Sequence, residues 1–362
     1  MGRGVLILGG GPAGLGAAYR LSRGGGADVR LLEQGDGFGG NARTLAWKGH
    51  RIDLGSHRLP ESADSRVLAD LHELLEDDLL TRPRMARTRK LGRWVRHPLR
   101  PRWLLRRAPI DRFLYPRQGI GQISDRMADE ARRRGADLRV RHRVTQVVER
   151  DGGVAVTAVH RNETVTFEAE RVLSTLAVTQ MVEMLKPRPP EEVIRAAARI
   201  RFHGLVLVFL EFAVDRFSEF DAFYLPSDQY RVSRVTEPKV FADRREPTGR
   251  TVLTAEIPCK AGGETWRLSD VELAALVTQE LTRAHLELPG LPTAAHVVRL
   301  PQAMPILGPE SDVPLALIRS HLATRERIVS VGNQGNLESG GTIDALASAY
   351  DAVDSLAQAA GA

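Results

Sequence analysis

The residues whose spacing first points to chemistry are three glycines near the start of the sequence. Gly9, Gly11 and Gly14 form a G-x-G-x-x-G pattern directly after the apolar run Val5–Leu8. In this pattern the first glycine permits a tight turn, the second lets a pyrophosphate approach the backbone, and the third lets a helix pack closely on a strand. Pro12 suits the first turn of that helix, where no amide donor is needed. The pattern therefore predicts a strand, a phosphate-binding turn and a helix.

An acidic residue stands at the distance that such a turn requires. The stretch DVRLLEQ predicts a second strand, and Glu33 lies at its end, 19 residues beyond Gly14. An acid in this place meets the ribose hydroxyls of an adenine dinucleotide, while the pyrophosphate sits on the helix N-terminus that includes Ala13. The N-terminal segment is therefore predicted to bind an adenine dinucleotide.

The next segment distinguishes between dinucleotides. Gly39, Gly40, Asn41, Arg43 and Thr44 stand in the run GGNART, which is followed by the run DLGSH, residues 53–57. In order and spacing these runs resemble the flavoprotein superfamily of amine oxidases, protoporphyrinogen oxidase, phytoene-desaturase-type enzymes and UDP-galactopyranose mutase. The resemblance implies FAD, bound without a covalent link.

The resemblance also implies roles for individual residues. Gly39, Gly40 and Asn41 would follow the FAD pyrophosphate, and Arg43 would lie near the phosphates and the ribityl chain. The turn formed by Gly55, Ser56 and His57 would lie close to the isoalloxazine ring. His57 is also a candidate catalytic base, since histidine changes charge near neutral pH. The alternative is a histidine that bonds to backbone, far from substrate.

Two later segments extend the resemblance along the chain. In the helix-and-strand segment that starts at Tyr115, Val144 matches the residue whose backbone touches the adenine. The closing segment IVSVGNQGNLESGGTIDAL resembles a strand followed by a helix that begins near the flavin pyrimidine edge. Its matching positions are Gly332 and Asn333 at the strand end, and Gly341, Thr342 and Ile343 at the helix start. Asn333 departs from the family, which often has an acid or arginine there.

These elements predict an α/β protein with a Rossmann-like FAD-binding domain of the glutathione-reductase type and an inserted α+β substrate domain. The FAD-binding domain is expected to be discontinuous, over residues 1–75, 115–185 and 300–362. The substrate domain is expected over 76–114 and 186–299. Within it, HGLVLVFLEFAV and RTVLTAEIP predict strands. LSDVELAALVTQELTRAHL predicts an amphipathic helix capped by Ser269.

Candidate substrate contacts lie in a predicted strand pair between residues 221 and 242, which resembles a pair that lines the flavin cavity in mutase-like relatives. They are Tyr224, Tyr230, Arg231 and Arg234. Arg231 and Arg234 would face opposite sides of a strand, so at most one of them points into the cavity. We favour Arg234, which together with His57 is the predicted catalytic pair.

An arginine-rich segment over residues 82–107 resembles a hairpin found near the substrate cavity of relatives, and it contributes Arg96 as a further substrate candidate. The residues that match the hairpin pattern are Trp94, His97, Pro98 and Leu99. Three interpretations stay open: a solvated hairpin, a patch for a phosphorylated substrate, and a contact with a membrane surface, which is not favoured. Nucleic-acid binding is not expected, because no nucleic-acid module is recognisable.

Composition sets outer limits on these interpretations. The 362 residues carry a formal net charge of +6 and a single cysteine, Cys259. One cysteine leaves no intrachain disulfide and no cysteine-rich zinc or iron–sulfur site, so we expect a cytoplasmic protein without a metal. The sequence contains no long apolar run that would span a membrane and no recognisable signal peptide.

Three classes of function follow. The first is an FAD-dependent oxidoreductase that oxidises a small molecule by hydride transfer to flavin N5, with NAD(P)H as an optional external reductant. The second is a non-redox flavin-dependent sugar mutase that acts on a nucleotide sugar through reduced FAD, so that the substrate is phosphorylated or nucleotide-linked. The third is a flavin-carrying binding protein without chemistry. We favour the oxidoreductase, and the sequence leaves the substrate, the electron acceptor and the oligomeric state open.

Overall fold

A computed structural model describes residues 4–25, 28–97 and 111–361. Its strands, in chain order, are β1 Val5–Leu8, β2 Val29–Leu32, β3 Thr44–Trp47, β4 His50–Asp53, β5 Leu59–Pro60, β6 Leu79–Pro83, β7 Ala86–Lys90, β8 Arg93–His97, β9 Arg112–Pro116, β10 Asp137–Arg139, β11 Arg143–Arg150, β12 Gly153–His160, β13 Glu163–Ala169, β14 Arg171–Ser174, β15 Leu185–Lys186, β16 Phe202–Phe212, β17 Ala222–Tyr224, β18 Arg234–Thr236, β19 Thr251–Cys259, β20 Ala294–Pro305 and β21 Ile328–Ser330.

The helices alternate with these strands over most of the chain. They are α1 Pro12–Arg23, α2 Ser65–Leu75, α3 Gly121–Arg133, α4 Val178–Met184, α5 Glu191–Arg199, α6 Pro238–Ala242, α7 Glu264–Arg267, α8 Asp270–Arg283, α9 Pro309–Ala323, α10 Gly332–Asn336 and α11 Thr342–Gly361. The alternation confirms the predicted α/β class.

A five-stranded parallel sheet is at the centre of the first half of the fold. Its order is β10-β2-β1-β14-β21, and every neighbouring pair is parallel. The side chains of β1 explain its central place, because Leu6 and Leu8 are buried on one face and Ile7 on the other. A strand that is apolar on both faces belongs in the middle of a sheet covered on both sides.

Two different layers cover this sheet. Helices α1, α3 and α11 pack together on the face of Ile7. Strands β11, β12 and β13 pair antiparallel, β15 joins β11 in parallel, and this sheet covers the face of Leu6 and Leu8. The carboxyl ends of β1 and β2 therefore open on one edge of a three-layered unit, where α/β sheets bind ligands.

A second, seven-stranded sheet has the order β20-β16-β19-β18-β17-β7-β8. The predicted strands β16 and β19 and the predicted helix α8 are confirmed, and Ser269 caps α8 through a reciprocal bond with Glu272. Leu273, Val277 and Leu281 of α8 pack on one face of the sheet. We call this the α8 face.

The register of the strands fixes which side chains share the opposite face. Tyr224 pairs with Arg234, and Arg234 pairs with Glu256. Directly paired residues project to the same side of a sheet, so these three side chains form one row across β17, β18 and β19. We call the face that carries this row the inner face. It packs at β16 against Ile52 and Leu54, next to the predicted flavin-binding turn.

The predicted division into two domains stays a prediction, and the sheets show how its boundaries fall. β20 crosses the boundary predicted at residue 300, because its pairing with β16 continues to Pro305. β6, which was expected in the substrate domain, pairs with β9 in a separate three-stranded sheet. α5 and α9, expected in different domains, pack against each other.

In the parts of the chain that the structure describes, no helix is both long and apolar enough to cross a membrane. Within the same ranges, no group of three or more histidine, cysteine and acidic side chains is arranged to hold a metal ion.

Candidate active site

The turn between β1 and α1 is closed tightly by its glycines. A Cβ atom on Gly14 would lie 2.0 Å from the carbonyl oxygen of Gly9, so only glycine lets the helix approach the strand here. Gly9 itself has a φ of +99°, a conformation that other residues rarely adopt. Gly11 caps α1 without a side-chain bond, and Pro12 is the first helical residue. The first N–H groups of α1, including that of Ala13, therefore lack a capping side chain.

Gly11 differs from its neighbours because the space beside it is open. A Cβ atom on Gly11 would meet one atom within 4 Å, the Cα of Gly40 at 3.9 Å. In the other direction, a Cβ atom on Gly40 would lie 3.1 Å from the Cα of Gly11. The two glycine backbones thus pack against each other at the N-terminus of α1, and the remaining space beside Gly11 is an opening. Such an opening, lined by backbone, suits a pyrophosphate.

Glu33 lies beside the same turn. Its carboxylate accepts hydrogen bonds from the amides of Gly10 at 2.7 Å and Gly35 at 2.6 Å. Its backbone carbonyl accepts from the amide of His142 at 2.8 Å, which brings the start of β11 and the buried Val144 close by. Glu33 and Val144, which the sequence assigns to the adenosine half of FAD, are therefore neighbours.

The Gly-Gly segment packs on this turn through its backbone. The amide of Gly39 donates to the carbonyl of Gly10 at 2.8 Å. Asn41 approaches β20, with Nδ2 3.5 Å from the carbonyl oxygen of Gln302. The guanidinium of Arg43 pairs with the exposed Asp36 at 3.1 Å through one of its nitrogens, and its predicted contact with the phosphates stays a prediction.

The closing segment reaches the same place from the C-terminal end. Gly332 and Asn333 do not end a strand as expected: β21 stops at Ser330, and the two residues begin the short helix α10. A Cβ atom on Gly332 would lie 2.6 Å from that of Ala13, so α10 begins against the start of α1. Asn333 Nδ2 donates to the carbonyls of Gly340 at 2.6 Å and Gly341 at 3.1 Å, which holds the loop before α11.

The predicted helix start at Thr342 is confirmed. The amide of Gly341, which was expected to face the flavin, donates to the carboxylate of Asp344 at 2.6 Å. The side chain of Ile343 is buried among those of α1 and α3. The amides left for a ligand at this helix end are therefore those of its first turn, beside the Thr342 hydroxyl.

The turn at Gly55 brings His57 to the start of α11. His57 Nδ1 lies 3.5 Å from the hydroxyl oxygen of Thr342, and Nε2 lies 3.4 Å from the carbonyl oxygen of Leu54. Asp53 anchors the turn from below: its buried carboxylate accepts from Thr44 Oγ1 at 2.6 Å and from the Tyr115 hydroxyl. Burial raises the pKa of Asp53, although His57 opposes the shift.

Glu256, which the sequence analysis missed, joins this turn to the inner face. Its buried carboxylate accepts from the amide of Ser56 at 2.9 Å and from Arg234 at 2.6 Å. A signal for it exists in the sequence, since Glu256 is the charged residue within the otherwise uncharged strand β19. The sequence does not identify the partner of Glu256, however, because Ser56 lies 200 residues away.

Tyr224 lies at the centre of a cluster of cations on the inner face. Its hydroxyl accepts from Arg58 at 2.7 Å, and Arg58 also pairs with the buried Asp221 at 3.1 Å. The ring of His97 lies 4.8 Å from that of Tyr224. Burial alone would raise the pKa of the Tyr224 phenol, but Arg58 and Arg234 outweigh it and lower the pKa below its ordinary value of 10.

Three predicted substrate residues lie away from this cluster. Tyr230 and Arg231 stand in the connection between β17 and β18 and contact the α7–α8 side: Arg283 lies over the Tyr230 ring, and Arg231 pairs with the exposed Glu264. Arg96 pairs in register with Arg87, one position from His97, so it projects to the α8 face and is exposed. Of the four arginine and tyrosine candidates in 221–242 only Tyr224 and Arg234 lie on the inner face.

The arginine-rich segment is partly covered by the structure. Its predicted hairpin is confirmed as β7 and β8, which pair in register around a turn at Leu91 and Gly92. Pro98, Leu99 and the rest of 98–110 lie outside the described residues. The predicted phosphate and membrane contacts of this segment stay predictions.

The donor set fits a flavin dinucleotide. The opening at Gly11, the carboxylate of Glu33 and the starts of α1 and α11 lie along one edge of the parallel sheet. Backbone amides at a helix start suit a pyrophosphate, and a carboxylate suits ribose hydroxyls. Next to them, the row on the inner face offers a hydroxyl and guanidinium groups to a second molecule.

Comparison with protein-family models gives two matches. Residues 100–357 match the flavin-containing amine oxidoreductase family, and residues 7–74 match an NAD(P)-binding Rossmann-like domain. The second match confirms the predicted Rossmann-like domain. A comparison with curated protein sequences gives no match.

Solved structures share the fold at low sequence identity. A reduced UDP-galactopyranose mutase aligns with a TM-score of 0.82 and 16% identity, over 98% of this chain and 96% of that one. A protein from Exiguobacterium sp. 255-15 provisionally assigned as a protoporphyrinogen oxidase aligns with a TM-score of 0.76 and 18% identity, over 97% and 98%. A putrescine oxidase bound to putrescine aligns with a TM-score of 0.70 and 16% identity, over 99% of each.

Proposed function

The chain belongs to the flavin-containing amine oxidoreductase family, and we propose from this premise that it is an FAD-dependent oxidoreductase of a small-molecule substrate. The observation that carries the proposal is the meeting of four separate segments at one edge of the parallel sheet. The β1–α1 turn, the Gly39–Gly40 backbone, the Gly55–His57 turn and the start of α11 come together there.

In the proposed complex, the backbone of Gly9 and Gly11 and the amide of Ala13 hold the FAD pyrophosphate, Gly14 lets α1 approach β1, and Gly40 borders the opening beside Gly11. Glu33 accepts from ribose hydroxyls. Its two bonds to the amides of Gly10 and Gly35 support this role, because they fix the carboxylate in place. The backbone at Val144 borders the adenine.

At the other end, the Gly55–His57 turn, Asn333 and the start of α11 enclose the isoalloxazine. Bound FAD supplies the chemistry of accepting a hydride at N5. The N-terminus of α11 places positive partial charge there, which favours negative charge on a bound ring. Asp344 offsets part of that charge, because it lies in the first turn of α11.

His57 is the proposed proton-transfer residue. A bond from Nε2–H to the Leu54 carbonyl would favour the tautomer with a free lone pair on Nδ1. That atom faces the Thr342 hydroxyl at 3.5 Å, so it is placed to take up or return a proton through it. Arg234 and Tyr224 are the proposed substrate-orienting residues, next to the turn that Glu256 ties to them.

A rapid-mixing experiment tests the proposal without a known substrate. The purified holoprotein is reduced anaerobically with dithionite and mixed with air-saturated buffer, and the oxidised flavin absorbance is followed. Return of the absorbance within seconds supports an oxidase and directs screening to amines and alcohols with peroxide detection. If reoxidation is slow, NAD(P)H and other electron carriers are tested as partners of a dehydrogenase. Purified protein without FAD would contradict the proposal.

The cations on the inner face favour one second candidate, a non-redox sugar mutase. Arg58 and Arg234 around Tyr224 could receive the diphosphate of a nucleotide sugar, whereas a purely cationic amine gains nothing from them. Incubation of the dithionite-reduced protein with UDP-galactopyranose separates the two. Isomerisation without consumption of reductant would support the mutase and remove the oxidoreductase proposal.

A further inference from the structure

Several buried donors around Tyr224 lack an acceptor within the described parts of the chain. Among the described residues, six arginines have a buried Nε–H group without an acceptor. Three of them, Arg58, Arg84 and Arg234, lie close enough to Tyr224 to lower its pKa. Buried donors in folded proteins are nearly always paired, and although Asp221 Oδ2 also lacks a partner here, three such donors in one cluster favour an acceptor from outside the chain. The arrangement therefore points to a ligand rich in oxygen atoms.

Among the described residues, three arginines but two paired carboxylates lie around Tyr224. Asp221 pairs with Arg58 at 3.1 Å, and Glu256 pairs with Arg234 at 2.6 Å. Arg84 has no carboxylate partner among the described residues, so one positive charge is left over. A cation in a half-buried place without a counterion normally indicates that an anion completes the site.

The neighbouring side chains report the same positive potential. The pKa of Tyr224 is lowered although its phenol is buried. The pKa of His97 is lowered by its burial and by Arg84 and Arg58. For Tyr224 the arginines outweigh burial, whereas for His97 burial is the largest cause and the arginines add to it.

We propose that Arg84, Arg234 and the Tyr224 hydroxyl bind an anionic group of the substrate, a carboxylate or a phosphate. The proposal rests on the proposed function only in calling the anion part of the substrate. Guanidinium groups bind either group through paired hydrogen bonds, and the row on the inner face leads from these residues to the Ser56 amide through Glu256. An anion held here would lie next to the proposed flavin-binding turn.

Titration of the oxidised holoprotein tests the site with two probes at constant ionic strength, sodium pyrophosphate and sodium benzoate. Binding is followed by isothermal calorimetry and by the perturbation of the flavin absorbance. We expect saturable binding of at least one probe. Preference for pyrophosphate identifies a phosphate site, and preference for benzoate identifies a carboxylate site.

Arg84→Met is the main variant, because removing Arg84 leaves no carboxylate without its partner. We expect its affinity for the preferred probe to fall about tenfold to a hundredfold, the loss typical of a charged hydrogen bond. Arg84→Lys, which keeps the charge, should recover part of it. Arg96→Met is the matched control, since it removes the same charge from the α8 face of the same hairpin and should leave the affinity within about twofold.

No binding of either probe to folded holoprotein, or equal affinities in Arg84→Met and Arg96→Met, would overturn the anion site. These results would leave the proposed function standing if the FAD is present and is reoxidised by air. Protein that binds the anion but contains no FAD would support the anion site and contradict the proposed function.

Discussion

The β1–α1 turn and the inner face of the seven-stranded sheet are built in different ways. The turn is formed by backbone contacts: a Cβ atom on Gly14 would clash with the Gly9 carbonyl, and a backbone amide donates to the Glu33 carboxylate. On the inner face, side chains from three strands, Tyr224, Arg234 and Glu256, work in one register row. A site of backbone tolerates little change in sequence, whereas a site of side chains can change its ligand without changing the fold. The comparison suggests why one cofactor fold can serve different substrates.

The largest expected effect is the loss of stability when Gly14 in the β1–α1 turn is replaced by alanine. Gly14→Ala would place a Cβ atom 2.0 Å from the Gly9 carbonyl oxygen, which forces α1 away from β1. We expect the free energy of unfolding to fall by about 3 kcal/mol or more, the upper range for an overpacked core. Thermal and urea unfolding measure it. Gly24→Ala is the control, because its nearest atom lies at 3.5 Å, and comparable loss in both variants would contradict the account.

The next effect concerns the turn that joins the two regions. His57→Ala should keep FAD and lower turnover by about 10²- to 10⁴-fold, the contribution of a general acid–base group. The test compares the rate of flavin reduction by substrate with the flavin content of the same sample. His72→Ala, at an exposed position of α2, is the control. Unchanged reduction in His57→Ala would leave His57 as a structural residue.

Damage to the inner face should spare the cofactor. Glu256→Gln weakens the bonds to Ser56 and Arg234 and should lower the free energy of unfolding by about 1–3 kcal/mol, while FAD stays bound. Glu264→Gln is the control, because it also removes the carboxylate partner of an arginine. Glu264 is 83% exposed, so we expect the free energy of unfolding to fall by less than about 1 kcal/mol. Loss of FAD from Glu256→Gln would mean that the two regions are not separable.

The smallest expected effect is a change in anion affinity as Tyr224 loses its proton. Because cations lower the pKa of Tyr224, its phenolate should form below pH 10, whereas the pKa values of Tyr19, Tyr115 and Tyr350 are raised. A phenolate repels a bound anion, so affinity for the preferred anionic probe should fall a few-fold as the pH rises through this transition. Ultraviolet absorbance of tyrosinate follows it, and Tyr224→Phe should remove the early phase. Persistence of that phase in the variant would assign it elsewhere.

The same difference explains what the sequence could predict. Gly9, Gly11, Gly14 and Glu33 lie within one strand–helix–strand unit, so local spacing alone indicated the dinucleotide turn. Glu256 could not be assigned a partner in this way, because its bond to the Ser56 amide depends on how two distant sheets pack. Residues of a local motif meet because they are close in sequence, whereas residues of the inner face meet because distant strands pair in a particular register.

The differences between the expected and observed positions of the substrate candidates have the same origin. Alternation along a continuous strand was assumed from Arg231 to Arg234, but β18 begins only at Arg234. The backbone amide of Arg231 donates to Glu280 of α8, and its side chain pairs with Glu264 of α7. Arg96 was a candidate because it lies within the hairpin segment, yet its register with Arg87 turns it to the α8 face. Neither strand limits nor register can be predicted from residue types alone.

The account depends most on the claim that the opening at Gly11 exists for FAD. Its most direct test is the FAD content per protein chain of Gly11→Val, measured after release of the flavin, with thermal unfolding recorded in parallel. Inside the protein a Cβ atom at Gly11 meets only the Gly40 Cα at 3.9 Å, so Gly11→Ala and Gly11→Val should fold. The account predicts folded Gly11→Val protein with no FAD. Folded Gly11→Val protein with full FAD content would contradict it.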